Sequence, residues 1–173
     1  IVCGGAPVAL SRGPGGDAEL AELLRKETGL PVVTANGIVA EALRALGVRS
    51  VVVVSPFVEA RNEEIRGYLQ ASGFQVLATH GLGLVKNVDF AMQSSVAAYS
   101  LARETAALNP QAEGIYIACP RWPVVDIIAP LEADSGKPVV AAAAAMMWGA
   151  LRAVGLGDGN PGYGRLMDSL KSR

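Results

Sequence analysis

Short apolar runs rich in β-branched residues alternate along the chain with longer stretches whose apolar positions recur at helical spacing. Val32–Thr34, Ser50–Ser55, Phe74–Thr79, Gly114–Cys119 and Pro138–Ala141 predict strands. Ser50–Ser55 holds four consecutive valines, the signature of a strand buried on both faces of a parallel sheet. Between these runs, Asp17–Thr28, Gly37–Leu46, Val58–Ala71, Ser94–Leu108, Val124–Ser135 and Ala142–Val154 predict helices. Gly29, Gly47, Gly73, Gly136 and Gly155 follow five of them, where a left-handed residue ends a helix. The order is βαβα, so the expected class is α/β with parallel strands. In such sheets ligands bind beyond the carboxyl ends of the strands. The tail after Gly155 predicts a glycine loop and a short helix packed on the outside.

Composition narrows the function. The 173 residues are 51% hydrophobic and 18% charged, with a net charge of −1. That is a globular balance without the basic excess of a phosphate-backbone binder, so no nucleic-acid partner is expected. The longest apolar run, around Val139–Trp148, is too short to span a bilayer, so no membrane partner is expected either. Two cysteines do not make a disulfide framework, and with a single histidine they make a poor zinc set; no metal is expected. A cytoplasmic, reducing compartment is the default. Gly13–Gly16 and the Gly-Leu-Gly at 81–83 do not complete a strand–GxGxxG–helix pattern, so no nucleotide cofactor, and no other, is expected.

Two segments echo one another. TGLPVVTANGIVAEALRALG and SGKPVVAAAAAMMWGALRAVG share a Gly-x-Pro-Val-Val start, a helix, Ala-Leu-Arg-Ala and a closing glycine. IVCGG and IYIACPRW each run from an apolar strand into a cysteine and a turn. An internal duplication with one cysteine per half is the expected reading, which would set the cysteines across a cleft. The chain opens on IVCGG, the end of a strand, without a Met, so an upstream segment is expected.

Cys3 and Cys119 are the candidate chemistry. A strand-end cysteine is as often a buried packing residue as a reactive one. Gly4 and Gly5 favour reactivity after Cys3, because consecutive glycines let backbone N–H groups approach a ligand and lower a thiol pKa. After Cys119 stands Pro120, which has no N–H to offer, and then Arg121, whose guanidinium suits a carboxylate. Arg121 reads equally well as a surface arginine, and Trp122 as core or pocket wall. His80 reads as structural or exposed.

CGGAPVALSRGPGGDAELAELLRKETGLPVVTANGIVAEALRALGVRSVVVVSPFVEARNEEI resembles the first catalytic segment of maleate cis-trans isomerases and arylmalonate decarboxylases, in the aspartate/glutamate racemase superfamily. GLGLVKN resembles their following loop, and IYIACPRWPVVDIIAPLEADSGKPVVAAAAAMMWGALRAVG their second catalytic segment. The resemblance runs from about Ile1 to Gly155. It implies two pseudosymmetric parallel-sheet α/β lobes with the site between them and the N-terminal lobe truncated. Residues 1–30 would end the first lobe, 31–137 form the second, and 138–173 return to pack on the first. It implies a cofactor-independent isomerase or racemase acting on a small (di)carboxylic acid through Cys3 and Cys119. Gly4, Gly5, Phe57, Asn87, Pro120 and Arg121 would contact substrate; Asn62, at the head of a helix, reads as structural. A homo-oligomer is left open.

Departures from the family pattern bear on the substrate. Isomerases of this family carry a Tyr where Phe57 stands, and a Ser-rich strand end where Ala141–Ala145 stand. One lost hydrogen bond to a charged group is worth about 1.5–3 kcal/mol, enough to change substrate. The expected pocket is less polar than a maleate isomerase's. Decarboxylation of a substituted malonate with Cys119 as proton donor is the alternative, although decarboxylases of the family have glycine at the first cysteine position. A catalytically silent small-acid binder is the second alternative.

Overall fold

The computed structural model describes residues 1–4, 16–157 and 162–170. Its elements follow the alternation read from the sequence. They are β1 (Val2–Cys3), α1 (Gly16–Thr28), β2 (Val33–Thr34), α2 (Ala35–Ala45), β3 (Ser50–Phe57), α3 (Glu59–Ala71) and β4 (Gln75–Leu84). There follow α4 (Asn87–Met92), α5 (Ser95–Leu108), β5 (Gly114–Ile117), a 3-10 turn (Val125–Ile127), α6 (Ile128–Ser135), β6 (Val139–Ala141), α7 (Ala142–Ala153) and α8 (Arg165–Asp168). All strand pairings are parallel: β1 with β2, and a four-stranded sheet in the order β4-β3-β5-β6. These are the parallel strands and α/β class expected.

The four-stranded sheet is buried on both faces because its strands alternate between two apolar clusters. Val51, Val53, Tyr116 and Val140 point to the side covered by α2, α3 and α7. Val52, Val54, Ile115, Ile117, Val139 and Ala141 point to the side covered by α5 and α6. Gly114 lets Val48 sit close, since a Cβ there would lie 2.8 Å from Val48 Cγ2. The five glycines that close helices all have positive φ, between 67° and 91°.

Strand pairing crosses both boundaries expected from the sequence. β1 pairs with β2 across position 30, and β5 with β6 across position 137. The two echoing segments become β2–α2 and β6–α7, and their helices pack on each other. Gly149 makes that contact close: a Cβ there would lie 2.4 Å from Ile38 Cδ1.

The tail corrects an expectation. Its short helix does not lie on the outside: Leu166, Met167 and Leu170 are buried in the α2–α7 core. Polar groups hold it there. Buried Glu132 accepts from the backbone N–H of Val139 (2.8 Å) and of Arg165 (2.9 Å), and Trp148 Nε1 donates to Ser169 Oγ (3.1 Å). The residue pattern missed this because α8 is too short for a helical period to show. Among the described residues, no helix is long and apolar enough to cross a membrane.

Candidate active site

Parallel register brings the carboxyl ends of β3 and β5 together. Val54 pairs with Ile117, and the Ala118 N–H donates to the Val54 carbonyl at 2.8 Å. The chain then turns sharply. Cys119 has φ 95°, the one non-glycine residue with positive φ among the described residues. A β-carbon in that region is strained, and such strain clusters at functional sites.

The turn aims backbone donors at the sulfur. The N–H groups of Arg121 and Trp122 hydrogen-bond the Cys119 thiol and favour its ionised form, with help from the Arg121 charge. Burial outweighs them and pushes the thiol above its ordinary pKa. Cys119 is therefore a protonated thiol at neutral pH, a group fitted to give a proton away. Trp122 is buried and its Nε1 donates to the Ser94 carbonyl at 3.3 Å, which anchors the turn. The Arg121 side chain is exposed, so what Arg121 brings to the sulfur at close range is its main-chain N–H.

Cys119 and Pro120 form one wall of a cavity of about 40 Å³. Ala35 and Asn36 from the start of α2, Phe57 from the end of β3, Tyr68 from α3 and Tyr116 from β5 line the rest. The start of α2 is fixed from outside. Buried Asp17 accepts from Thr34 Oγ1 and, at 2.7 Å, from the Gly37 N–H, a cap supplied by α1. Gly37 is needed there, since a Cβ would come within 2.9 Å of both the Thr34 hydroxyl and the Asp17 carboxylate.

Phe57 is held by a buried polar knot. The Ser55 hydroxyl donates to Asn62 Oδ1 at 2.6 Å and accepts from the Phe57 N–H at 3.0 Å. A Cβ on Gly81 would lie 2.2 Å from the Phe57 carbonyl oxygen and 2.5 Å from Asn62 Nδ2, so β4 can approach only as glycine. Asn62 shapes the strand end, as its reading as a structural residue implied. Phe57 also meets Phe90 edge-on, with centroids 5.0 Å apart.

The remaining predicted residues are placed unevenly. Cys3 is half-buried in β1, in register with Thr34, one residue before the cavity wall begins at Ala35. Gly4 follows, with room for a Cβ only at 3.4 Å from Met146 Cε. Gly5 lies outside the described residues. Asn87 is exposed at the first position of α4 and is not part of the cavity wall. His80 is exposed and its Nδ1 lies 3.0 Å from Thr105 Oγ1, away from the cavity lining.

Sequence reasoning missed Asn36, Tyr68 and Tyr116. Asn36 reads as a turn residue between strand and helix. The available signal was Tyr116, a phenol in the middle of an otherwise aliphatic strand. Burial holds the Tyr116 hydroxyl well above the usual phenol range, with added effect from Cys119 and Tyr68 nearby. Tyr68 is raised first by burial and then by Asp17. Asn36 Nδ2 is buried without a hydrogen-bond partner among the described residues.

The chain is 31% identical over 165 residues to the arylmalonate decarboxylase of Bordetella bronchiseptica, covering 95% of this chain and 69% of that protein. It is 28% identical over 139 residues to the maleate isomerase of Pseudomonas putida, covering 79% of this chain but only 54% of that protein. It superposes with a TM-score of 0.86 on a maleate isomerase variant from Pseudomonas putida S16 solved with maleate, at 27% identity, covering 92% of this chain and 66% of the other. The arylmalonate decarboxylase family matches residues 1–167, and the chain belongs to that family.

Proposed function

We infer that this chain carries out cofactor-independent isomerisation or racemisation of a small carboxylic acid, with Cys3 and Cys119 as the catalytic pair. The observation that carries the reading is Cys119: a protonated thiol in a left-handed strand-end turn, on the wall of a cavity whose next wall begins one residue beyond the partner of Cys3. The named relatives include a maleate isomerase, which supports a small carboxylate as ligand.

Two routes balance. In racemisation the Cys3 thiolate takes the α-proton, and the C–H pair moves into the carboxylate as an enediolate. Cys119 S–H then gives its proton to the opposite face and is left as thiolate. In cis-trans exchange the Cys3 sulfur adds to one alkene carbon while Cys119 protonates the other. Rotation about the new single bond follows; Cys119 takes a proton back and the C–S bond breaks. In this reading the Gly4 N–H helps hold the carboxylate, and Phe57 and Ala142 make the cavity wall apolar.

The test is turnover and alkylation on the longest natural form of the protein. Cys3→Ser should lower isomerase or racemase turnover by about 10²–10⁴-fold, the range for losing an acid–base group. Unchanged turnover in Cys3→Ser would remove the reading. A second reading, decarboxylation of a substituted malonate, is favoured by the protonated Cys119, the apolar Phe57 and the 31% identity to an arylmalonate decarboxylase. It calls for carbon dioxide release that survives Cys3→Gly and disappears in Cys119→Ser.

A further inference from the structure

Racemisation, cis-trans exchange and decarboxylation all put negative charge in the same place. In racemisation the C–H pair moves into the carboxylate, in decarboxylation the C–C pair does, and in cis-trans exchange the alkene pair does as sulfur adds. Each gives an enediolate on the carbon that Cys119 protonates. Its oxygens lie two bonds from that carbon, so a group that stabilises them stands close to the Cys119 sulfur.

Tyr116 stands there. It belongs to β5, paired with Val53 on one side and Val140 on the other, so its backbone is fixed from both edges. Along an unbroken strand Tyr116 and Cys119, three residues apart, would point to opposite faces. The positive φ of Cys119 ends that alternation, and both residues line one cavity of about 40 Å³. The space admits a group the size of a water, and hence a carboxylate oxygen. Phe57 on the same wall is a ring without a hydroxyl, whereas Tyr116 brings an O–H. Tyr68, also on the wall, has its hydroxyl bonded to Ser72 at the end of α3. Burial, with Cys119 and Tyr68 nearby, keeps the Tyr116 hydroxyl protonated far into alkali, so it is a donor at every working pH. A donor fixed in a buried wall needs no reorganisation when charge appears, so its effect is greatest in the transition state.

Resting on the reading that Cys119 gives its proton to the substrate carbon, we propose that Tyr116 is a further catalytic residue, whose O–H donates to the enediolate oxygen beside that carbon. The phenol proton stays on Tyr116 throughout; the hydrogen bond strengthens as charge builds. The substrate presents to Cys119 a carbon that bears a carboxylate. A second carboxylate elsewhere on the molecule is neither required nor excluded.

The probes are maleate, read by fumarate formation, and phenylmalonate, read by carbon dioxide release, on the longest natural form of the protein. On whichever turns over, Tyr116→Phe should lower kcat about 10²–10³-fold, the range for one oxyanion donor, and leave KM within about threefold. Its melting temperature shows that the variant folds. In protein labelled with carbon-13 at tyrosine Cζ, either acid should move the Tyr116 resonance downfield, at the concentration where the same acid protects Cys119 from iodoacetamide. The Tyr116→Phe spectrum assigns that resonance. Unchanged kcat in Tyr116→Phe, or a Tyr116 resonance that neither acid moves, would overturn the proposal and leave the two-cysteine reading standing. Full turnover in Cys3→Ser beside a slow Tyr116→Phe would remove the two-cysteine reading and keep Tyr116. Full turnover in both variants would remove both.

Discussion

Cys119 carries opposing influences in one atom. Two main-chain N–H groups and a nearby guanidinium pull the thiol toward ionisation, and burial pushes it back harder. The sign of the balance sets a pH dependence. A folded-state pKa raised above the unfolded value means that stability is fully present below the unfolded thiol pKa, about 8.5. It is lost as pH rises through the folded value. Melting temperature should therefore fall above about pH 8.5, and Cys119→Ser should flatten that part of the profile. Iodoacetamide labelling of Cys119 should lag behind that of a free thiol at neutral pH and catch up only in alkali. Labelling at neutral pH as fast as a free thiol would show that the donors win. Gly81 makes the other residue-scale claim. Gly81→Ala drives a Cβ into the Phe57 carbonyl and Asn62, and should destabilise by about 1–3 kcal/mol in urea titration.

At the scale of elements, the junction of β2 and α2 matters most. Helix α2 begins directly after Thr34 and has no side-chain cap of its own. Asp17, at the start of α1, reaches across to supply it. Asp17→Ala should cost about 1–2 kcal/mol, as loss of an N-cap does. It should also weaken ligand protection at Cys119, because Asn36 sits between the two groups Asp17 holds. Asp17→Asn, which keeps an acceptor, should lose less of both. Equilibrium unfolding and the alkylation assay read the two effects separately. Strand β3 shows the complementary case, where four valines in a row leave no choice but burial on both faces.

Across the whole molecule, the two echoing segments meet through α2 and α7, and the tail closes over that contact. Leu166 is buried in the core that α2 and α7 share, and Glu132 ties α6, β6 and the start of α8 together. Leu166→Ala should cost about 2–5 kcal/mol by opening a cavity. If the tail merely covered the surface, the same change would cost under about 0.5 kcal/mol.

The amino-acid pattern by itself determined the parallel α/β class, the positions of the long elements and the two strand-end cysteines. These are local properties: burial on both faces demands valine runs, and helix ends demand glycine at positive φ. Asn36, Tyr68 and Tyr116 were not legible as neighbours, because they lie on three elements far apart in the chain and meet only through the register of β3 with β5 and the packing of α2 and α3. The protonation of Cys119 and the burial of the tail were equally beyond the residue pattern. Both depend on desolvation, which is set by what the rest of the chain brings alongside.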